Sequence, residues 1–157
     1  MSEYTLSQVL PTDKTTLAEI DALLQKEGIR RDGNLDYICA MFDEDYHVIG
    51  TGSCFGNTLR CFAVSSDHQG EGLLNQIITH LIEVQCARGN LHLFLYTKGK
   101  SSKFFGDLGF YEIARVEDTL VFMENRRDGF GAYLRGLEKT KTEGRSAALV
   151  MNANPFT

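Results

Sequence analysis

Residues 58–74, TLRCFAVSSDHQGEGLL, decide how this chain folds. The apolar run Leu59–Val64 has the composition of a strand, and it enters a turn holding Gly70 and Gly72. That turn opens directly onto a segment with helical periodicity. A helix that begins on glycines leaves its first N–H groups without intrahelical partners, and the positive end of the helix dipole stands behind them. Such a site suits a pyrophosphate and needs no side-chain charge. Glycine matters because a Cβ there holds a phosphate away from the backbone. Taken alone, Gly-x-Gly is equally an ordinary strand-to-helix turn. The third glycine of the dinucleotide fingerprint is absent, and so is the Gly-Lys-Ser/Thr of a P-loop.

The neighbouring segments supply a frame for that loop. In Leu59–Val64, Leu59, Cys61 and Ala63 are expected to face one way and Phe62 and Val64 the other. Two largely apolar faces predict a central strand covered on both sides. Downstream, Leu74, Ile77, Ile78 and Leu81 form a helical stripe that Gly89-Asn90 ends. Leu91, Leu93 and Leu95 then alternate with His92, Phe94 and Tyr96, which predicts a second strand over 91–96. Strand, helix and strand in this order form a right-handed parallel crossover. Phe110–Val116 and Thr119–Met123 read as a closing hairpin.

Upstream, Tyr4–Val9 alternates as a strand, and Thr16-Leu-Ala-Glu19 has capping-box spacing. Leu17, Ile20, Leu23 and Leu24 make a helical stripe that stops at Gly28. Tyr37–Phe42 and His47–Phe55 read as a hairpin around Asp43-Glu44-Asp45, and Gly56-Asn57 turns into the strand already described.

Composition narrows the function. A chain of 157 residues with 43% hydrophobic content and two prolines suits one ordinary globular core. The net charge of −5 argues against general nucleic-acid binding. No apolar run approaches the ~20 residues that span a bilayer, and the start MSEYTLSQ lacks a signal pattern, so the expectation is a cytoplasmic protein without a membrane partner. Cys39, Cys54, Cys61 and Cys86 include no Cys-x-x-Cys and are expected to be reduced core thiols. His47, His68, His80 and His92 lack paired ligand spacing, so no metal is expected. From Glu124 the chain turns basic, with Arg126, Arg127, Arg135, Lys139, Lys141 and Arg145 around a partial stripe of Phe130, Tyr133, Leu134 and Leu137.

Gln69-x-x-Gly72-x-Leu74 resembles the acyl-CoA pyrophosphate loop of the GCN5-related N-acetyltransferase (GNAT) superfamily, Arg/Gln-x-x-Gly-x-Gly/Ala. Leu74 stands where that family has a small residue. Phe104-Phe105-Gly106-Asp107-Leu108-Gly109-Phe110 resembles the superfamily's FYEKLGF segment, in the expected order. The resemblance implies an α/β fold with a mixed sheet: mostly antiparallel, two splayed parallel strands at its centre, helices on both faces. It implies CoA or acetyl-CoA, or a CoA-like prosthetic group, as ligand. The pyrophosphate would meet the amides of Gln69, Gly70, Glu71, Gly72, Leu73 and Leu74, and the pantetheine would run beside Phe62, Ala63 and Val64. Tyr96 would line the thiol end. Lys98, Lys100 and Lys103 are candidates for phosphate contact or a solvated loop. Phe105 falls where amine acetyltransferases of this fold carry the tyrosine acid, and phenylalanine has no proton to give. No catalytic residue is identified.

The end of the chain, Ala147–Thr157, reads as a buried strand followed by Asn-Pro-Phe-Thr, and resembles the first strand of a nucleotidyltransferase domain. With LRCFAVSSDHQGEGLL, LHLFLYTK and VFMENR, the stretch VMNANPFT resembles the citrate lyase ligase family. That resemblance implies an acyl-CoA-binding domain over 1–140, and a linker with the first strand of a second domain over 141–157, cut before the ATP-binding machinery. The family acetylates the thiol of the CoA-like group on citrate lyase's acyl carrier subunit, using acetate and ATP. The alternatives are a self-sufficient amine N-acetyltransferase and a fold that only docks the lyase.

Overall fold

The structure, a computed structural model, describes residues 4–70, 72–117 and 119–126. Glu71, Arg127, the partial stripe from Phe130 to Leu137, the basic residues from Arg135 to Arg145, the linker and the VMNANPFT tail lie outside the described residues.

Seven strands are described: β1 (Thr5–Gln8), β2 (Tyr37–Phe42), β3 (Val48–Phe55), β4 (Thr58–Val64), β5 (Phe94–Thr97), β6 (Tyr111–Val116) and β7 (Leu120–Glu124). They form one sheet in the order β1-β2-β3-β4-β5-β7-β6. β4 and β5 are parallel, and the remaining neighbours are antiparallel. A parallel pair needs a crossover, and α2 (Leu73–Ala87) supplies it. α1 (Lys14–Lys26) connects β1 to β2, and the short α3 (Ser102–Asp107) lies between β5 and β6.

Strand periodicity sorts the core onto two faces. Ile38 and Ala40 pack with Leu17, Ile20, Leu23 and Leu24 of α1. Their neighbours Cys39 and Met41 pack with Leu73, Ile77, Ile78 and Leu81 of α2. The buried stripe of α2 thus starts at Leu73, while Leu74 is only partly buried. α2 lies close because β3 presents glycine beneath it. A Cβ built on Gly52 falls 2.6 Å from Ile77 Cγ2 and 2.9 Å from Leu81 Cδ1, and one on Gly50 falls 2.8 Å from Ile77 Cδ1.

The helix ends follow local chemistry. α2 stops with Gly89 at φ 85 and Asn90 N donating to Gln85 O, and α1 with Gly28 at φ 71 and Ile29 N donating to Leu24 O. The N-cap of α1 corrects the sequence reading. Asp13 takes that role, not Thr16: its carboxylate accepts from Thr16 N at 3.2 Å and Thr16 Oγ1 at 2.7 Å.

The hydrogen bond from the Thr16 side chain, with the one from its backbone, holds the Asp13 carboxyl below the usual carboxylate range. A carboxyl depressed in the folded state stabilises above its ordinary pKa, and that help disappears as pH falls through the folded value. Asp13→Ala is therefore expected to lower the urea midpoint at neutral pH. The gap to the parent should close in acid, which paired denaturation curves across pH will check.

Two strand assignments differ from expectation. β5 starts at Phe94, not Leu91, because Asn125 holds the preceding backbone in an irregular path. Its Oδ1 accepts from Leu93 N at 2.8 Å and its Nδ2 donates to Leu91 O at 3.0 Å, leaving the Leu91 side chain 63% exposed. In β4, Leu59 packs on the α2 face with Phe62 and Val64, whereas Cys61 and Ala63 face α1. A bulge breaks the alternation: Thr51 pairs with Ala63 and Ser53 with Arg60, so one residue of β3 opposes two of β4. Cys61 within the bulge has φ 58. No described helix is long and apolar enough to cross a membrane.

Candidate functional site

The centre of the sheet opens. β4 and β5 pair only at Thr58 with Phe94 and at Leu59 with Leu95. Beyond those residues each strand keeps its outer ladder. Ala63 and Val64 pair with Thr51 and Gly50 of β3, and Tyr96 and Thr97 pair with Phe122 and Val121 of β7. The two inner edges therefore face each other with no described ladder between them, and backbone donors and acceptors line both sides of the opening. The left-handed Cys61 stands at the start of the gap. A non-glycine residue in that conformation costs on the order of 1–3 kcal/mol, and such strain concentrates where sites are built.

The loop after β4 leads from this opening to the N-terminus of α2. A single 3-10 turn, Ser66–His68, is followed by extended Gln69, then Gly70 at φ 88 and Gly72 at φ 75. No side chain among the described residues caps α2. Its first i→i−4 bond runs from Gln76 N to Gly72 O at 3.2 Å, so the amides of Leu73, Leu74 and Asn75 precede the ladder. A Cβ on Gly70 or Gly72 meets nothing within 4 Å among the described residues beyond its chain neighbours. Positive φ at both positions favours glycine there.

The other residues singled out in the sequence fall in different places. Phe62 and Val64 lie partly buried on the α2 face of β4, and Phe62 contacts the Phe105 ring at 5.7 Å. Ala63 is 6% exposed on the α1 face. Leu73 turns its side chain into the core, so only its backbone is on offer. Phe105 is 1% exposed and packed edge-on against Phe104 and Phe110. Tyr96 stacks on Phe122 with ring centroids 4.7 Å apart, and burial raises its phenol pKa, partly opposed by the Arg60 charge.

The Lys98 ammonium donates to Glu27 O at the C-terminus of α1 and lies 3.9 Å from Glu27 Oε2. A cation at a helix C-terminus is a favourable pairing in itself. Lys103 is exposed. Glu71 lies outside the described residues. A surface groove of about 310 Å³ runs along α2 from its first turn, lined by Leu6, Asn75, Gln76, Thr79, His80 and Glu83.

Asp43, Asp45 and His47 offer ligand atoms within 4.8 Å of one another in the β2–β3 turn. The turn already uses the Asp43 carboxylate, which accepts from Asp45 N and His47 N at 2.9 Å each.

Cys39, Cys54, Cys61 and Cys86 are all free, but Cys86 is exposed and so departs from the expectation of core thiols. Burial pushes the Cys39 thiol up to about 12 and those of Cys54 and Cys61 to about 11. Because the thiolate is the nucleophile, a thiol-specific disulfide reagent should label one cysteine quickly in the native chain, Cys86. The other three should react only on unfolding, and a second fast equivalent would show that a described core thiol opens readily.

A mixed sheet parted at its single parallel pair, with a glycine turn delivering an uncapped helix, defines a class. The described residues have the GNAT acyltransferase fold. Escherichia coli ElaA superimposes with a TM-score of 0.65 at 13% identity, over 80% of this chain and all of its own (100%). The GNAT family N-acetyltransferase YhbS from Escherichia coli, solved in complex with CoA, gives 0.60 at 16% identity, over 82% of this chain and 84% of its own.

The sequence relatives are more specific: they are citrate lyase ligases. The citrate (pro-3S)-lyase ligase of Klebsiella pneumoniae is 34% identical over 146 residues, 92% of this chain and 42% of its own length. That of Escherichia coli K12 is 32% identical over 152 residues, 96% of this chain and 43% of its own. The chain thus spans less than half the length of the curated relatives it matches. No family model matches it.

Proposed function

We propose that this chain supplies the part of a citrate lyase ligase that holds the CoA-like arm. The observation that carries the reading is the parting of β4 from β5 where β4 leads into an uncapped helix N-terminus. A pantetheine is a chain of amides, and two facing strand edges offer it partners along its length. A diphosphate at its end then meets the amides after Gly72, in the field of the α2 dipole. The whole protein would acetylate the thiol of the CoA-like prosthetic group on citrate lyase's acyl carrier subunit, using acetate and ATP. ATP chemistry belongs to a second domain in this reading, with the boundary near residue 140.

A stand-alone amine acetyltransferase needs an acid for the departing thiolate. Phe105 stands at that position, buried and without a proton to donate. When the thiol is the acceptor no such acid is required, so the residue speaks for the ligase reading.

Calorimetric titration with CoA and with dephospho-CoA tests the proposal. Both share the pantetheine and the diphosphate, and both should bind the folded chain with comparable affinity. No heat from either, in a sample with native circular dichroism, would leave a fold that only docks the lyase.

A further inference from the structure

One charged residue interrupts the apolar run of β4, and it sits at the fork. Arg60 follows Leu59, the last residue of β4 paired with β5. It lies directly opposite Ser53 across the β3–β4 ladder, so both side chains leave the sheet on the same face. Because Ser53 also pairs with Ile38, which packs under α1, that face is the α1 side. Arg60 is largely buried, its side chain 15% exposed, with Nη1 donating to Asp32 Oδ2 at 3.2 Å. Its guanidinium carbon stands 5.1 Å from the centroid of the Phe55 ring.

Two polar atoms here have no hydrogen-bond partner among the described residues: Arg60 Nε and the Oγ of Ser53, a residue 1% exposed. A buried donor without a partner costs free energy that a built interior avoids. Both atoms donate, and one of them carries positive charge, so the species that completes them brings acceptor oxygens and takes negative charge well. A planar carboxylate has two oxygens, one for each of these donors on neighbouring strands.

The segment 27–32 crosses the fork on this same face. Glu27 O accepts from Lys98 just after β5, and Arg30 O takes the Cys61 Sγ contact at 3.9 Å. Asp32 holds Arg60 from the same side. This segment and the half-exposed Phe55 lie against the Arg60 and Cys61 side chains.

We propose that Arg60 Nε and Ser53 Oγ form a binding site for an acetate-sized carboxylate at the fork of β4 and β5. The site places a small acid beside the end of the crevice where the thiol arrives in the reading above. It rests on that reading only for this relation, and not for the binding itself.

Acetate is the probe. The Arg Nε–H cross-peaks of the 157-residue chain are followed by ¹H–¹⁵N NMR while sodium acetate replaces sodium chloride at constant ionic strength. One cross-peak, absent in Arg60→Lys, should shift saturably with acetate. Ser53→Ala, a smaller change that keeps the arginine, should weaken the response about fivefold, as loss of one donor implies. A cross-peak that stays still, as when a bridging water already completes both atoms, overturns the site. So does an equal response when chloride is added without acetate. CoA is titrated into the same samples: heat without an acetate shift defeats this inference alone, and an acetate shift without CoA heat defeats only the reading of the crevice.

Discussion

Gly72→Val should lower the affinity of the chain for CoA about a hundredfold. The N–H groups behind Gly72 act on a diphosphate at short range, and a branched side chain there occupies the space before them. Hydrogen bonds to a charged group contribute about 1.5–3 kcal/mol each, so losing one or two removes about 3 kcal/mol, which is two decades in Kd. The substitution also strains the backbone, because φ at 72 is 75. That strain costs about 1–3 kcal/mol, well inside the 5–15 kcal/mol that holds a typical domain folded. Gly89→Val separates the two effects. Gly89 has φ 85 at the other end of α2, so it loses stability by the same mechanism with no change in CoA affinity. Calorimetry with parallel urea denaturation of both variants reads the difference.

Ile77→Ala carries the largest stability change, about 4 kcal/mol. Ile77 is fully buried and seated over Gly50 and Gly52 of β3. Loss of a buried isoleucine to alanine ordinarily costs about 2–5 kcal/mol, and the cost rises where the surroundings cannot collapse into the cavity. Here the two β3 positions beneath it are glycine, so β3 has no side chain to move in. The close fit makes a sign change measurable. Gly52→Ala alone should destabilise by about 1–3 kcal/mol through overpacking against Ile77 and Leu81. In the Ile77→Ala background the added methyl enters the vacated space and should cost nothing or restore stability. A double-mutant cycle by urea denaturation measures that coupling, and additive costs would mean α2 does not rest on these glycines.

What the sequence revealed was local. The hairpin of β2 and β3, the stop of α2 at Gly89-Asn90, and the glycines before that helix need only near neighbours, and each stands where the residues put it. The parallel pair followed from strand, helix and strand in succession. The features that escaped depend on distant partners. The Cys61 bulge carries no glycine to announce it, and its setting includes Arg30 and Asp32, about thirty residues earlier. Lys98 reads as a phosphate contact or part of a solvated loop, and nothing local announces its partner Glu27, 71 positions away. Asn125 shortens β5 from across the sheet in the same manner. Within the candidate site, the glycine turn was legible because positive φ selects a residue type. Arg60 drew no reading from the sequence, and only the register with Ser53 gives it a meaning.

The central claim is that one ligand threads the fork and ends at the helix. A crystal structure of the chain with CoA tests it most directly. The account predicts the pantetheine between β4 and β5, and diphosphate oxygens within hydrogen-bond distance of the Leu73 and Leu74 amides. CoA seated elsewhere, or that fork closed by the chain's own side chains at saturating CoA, would contradict it.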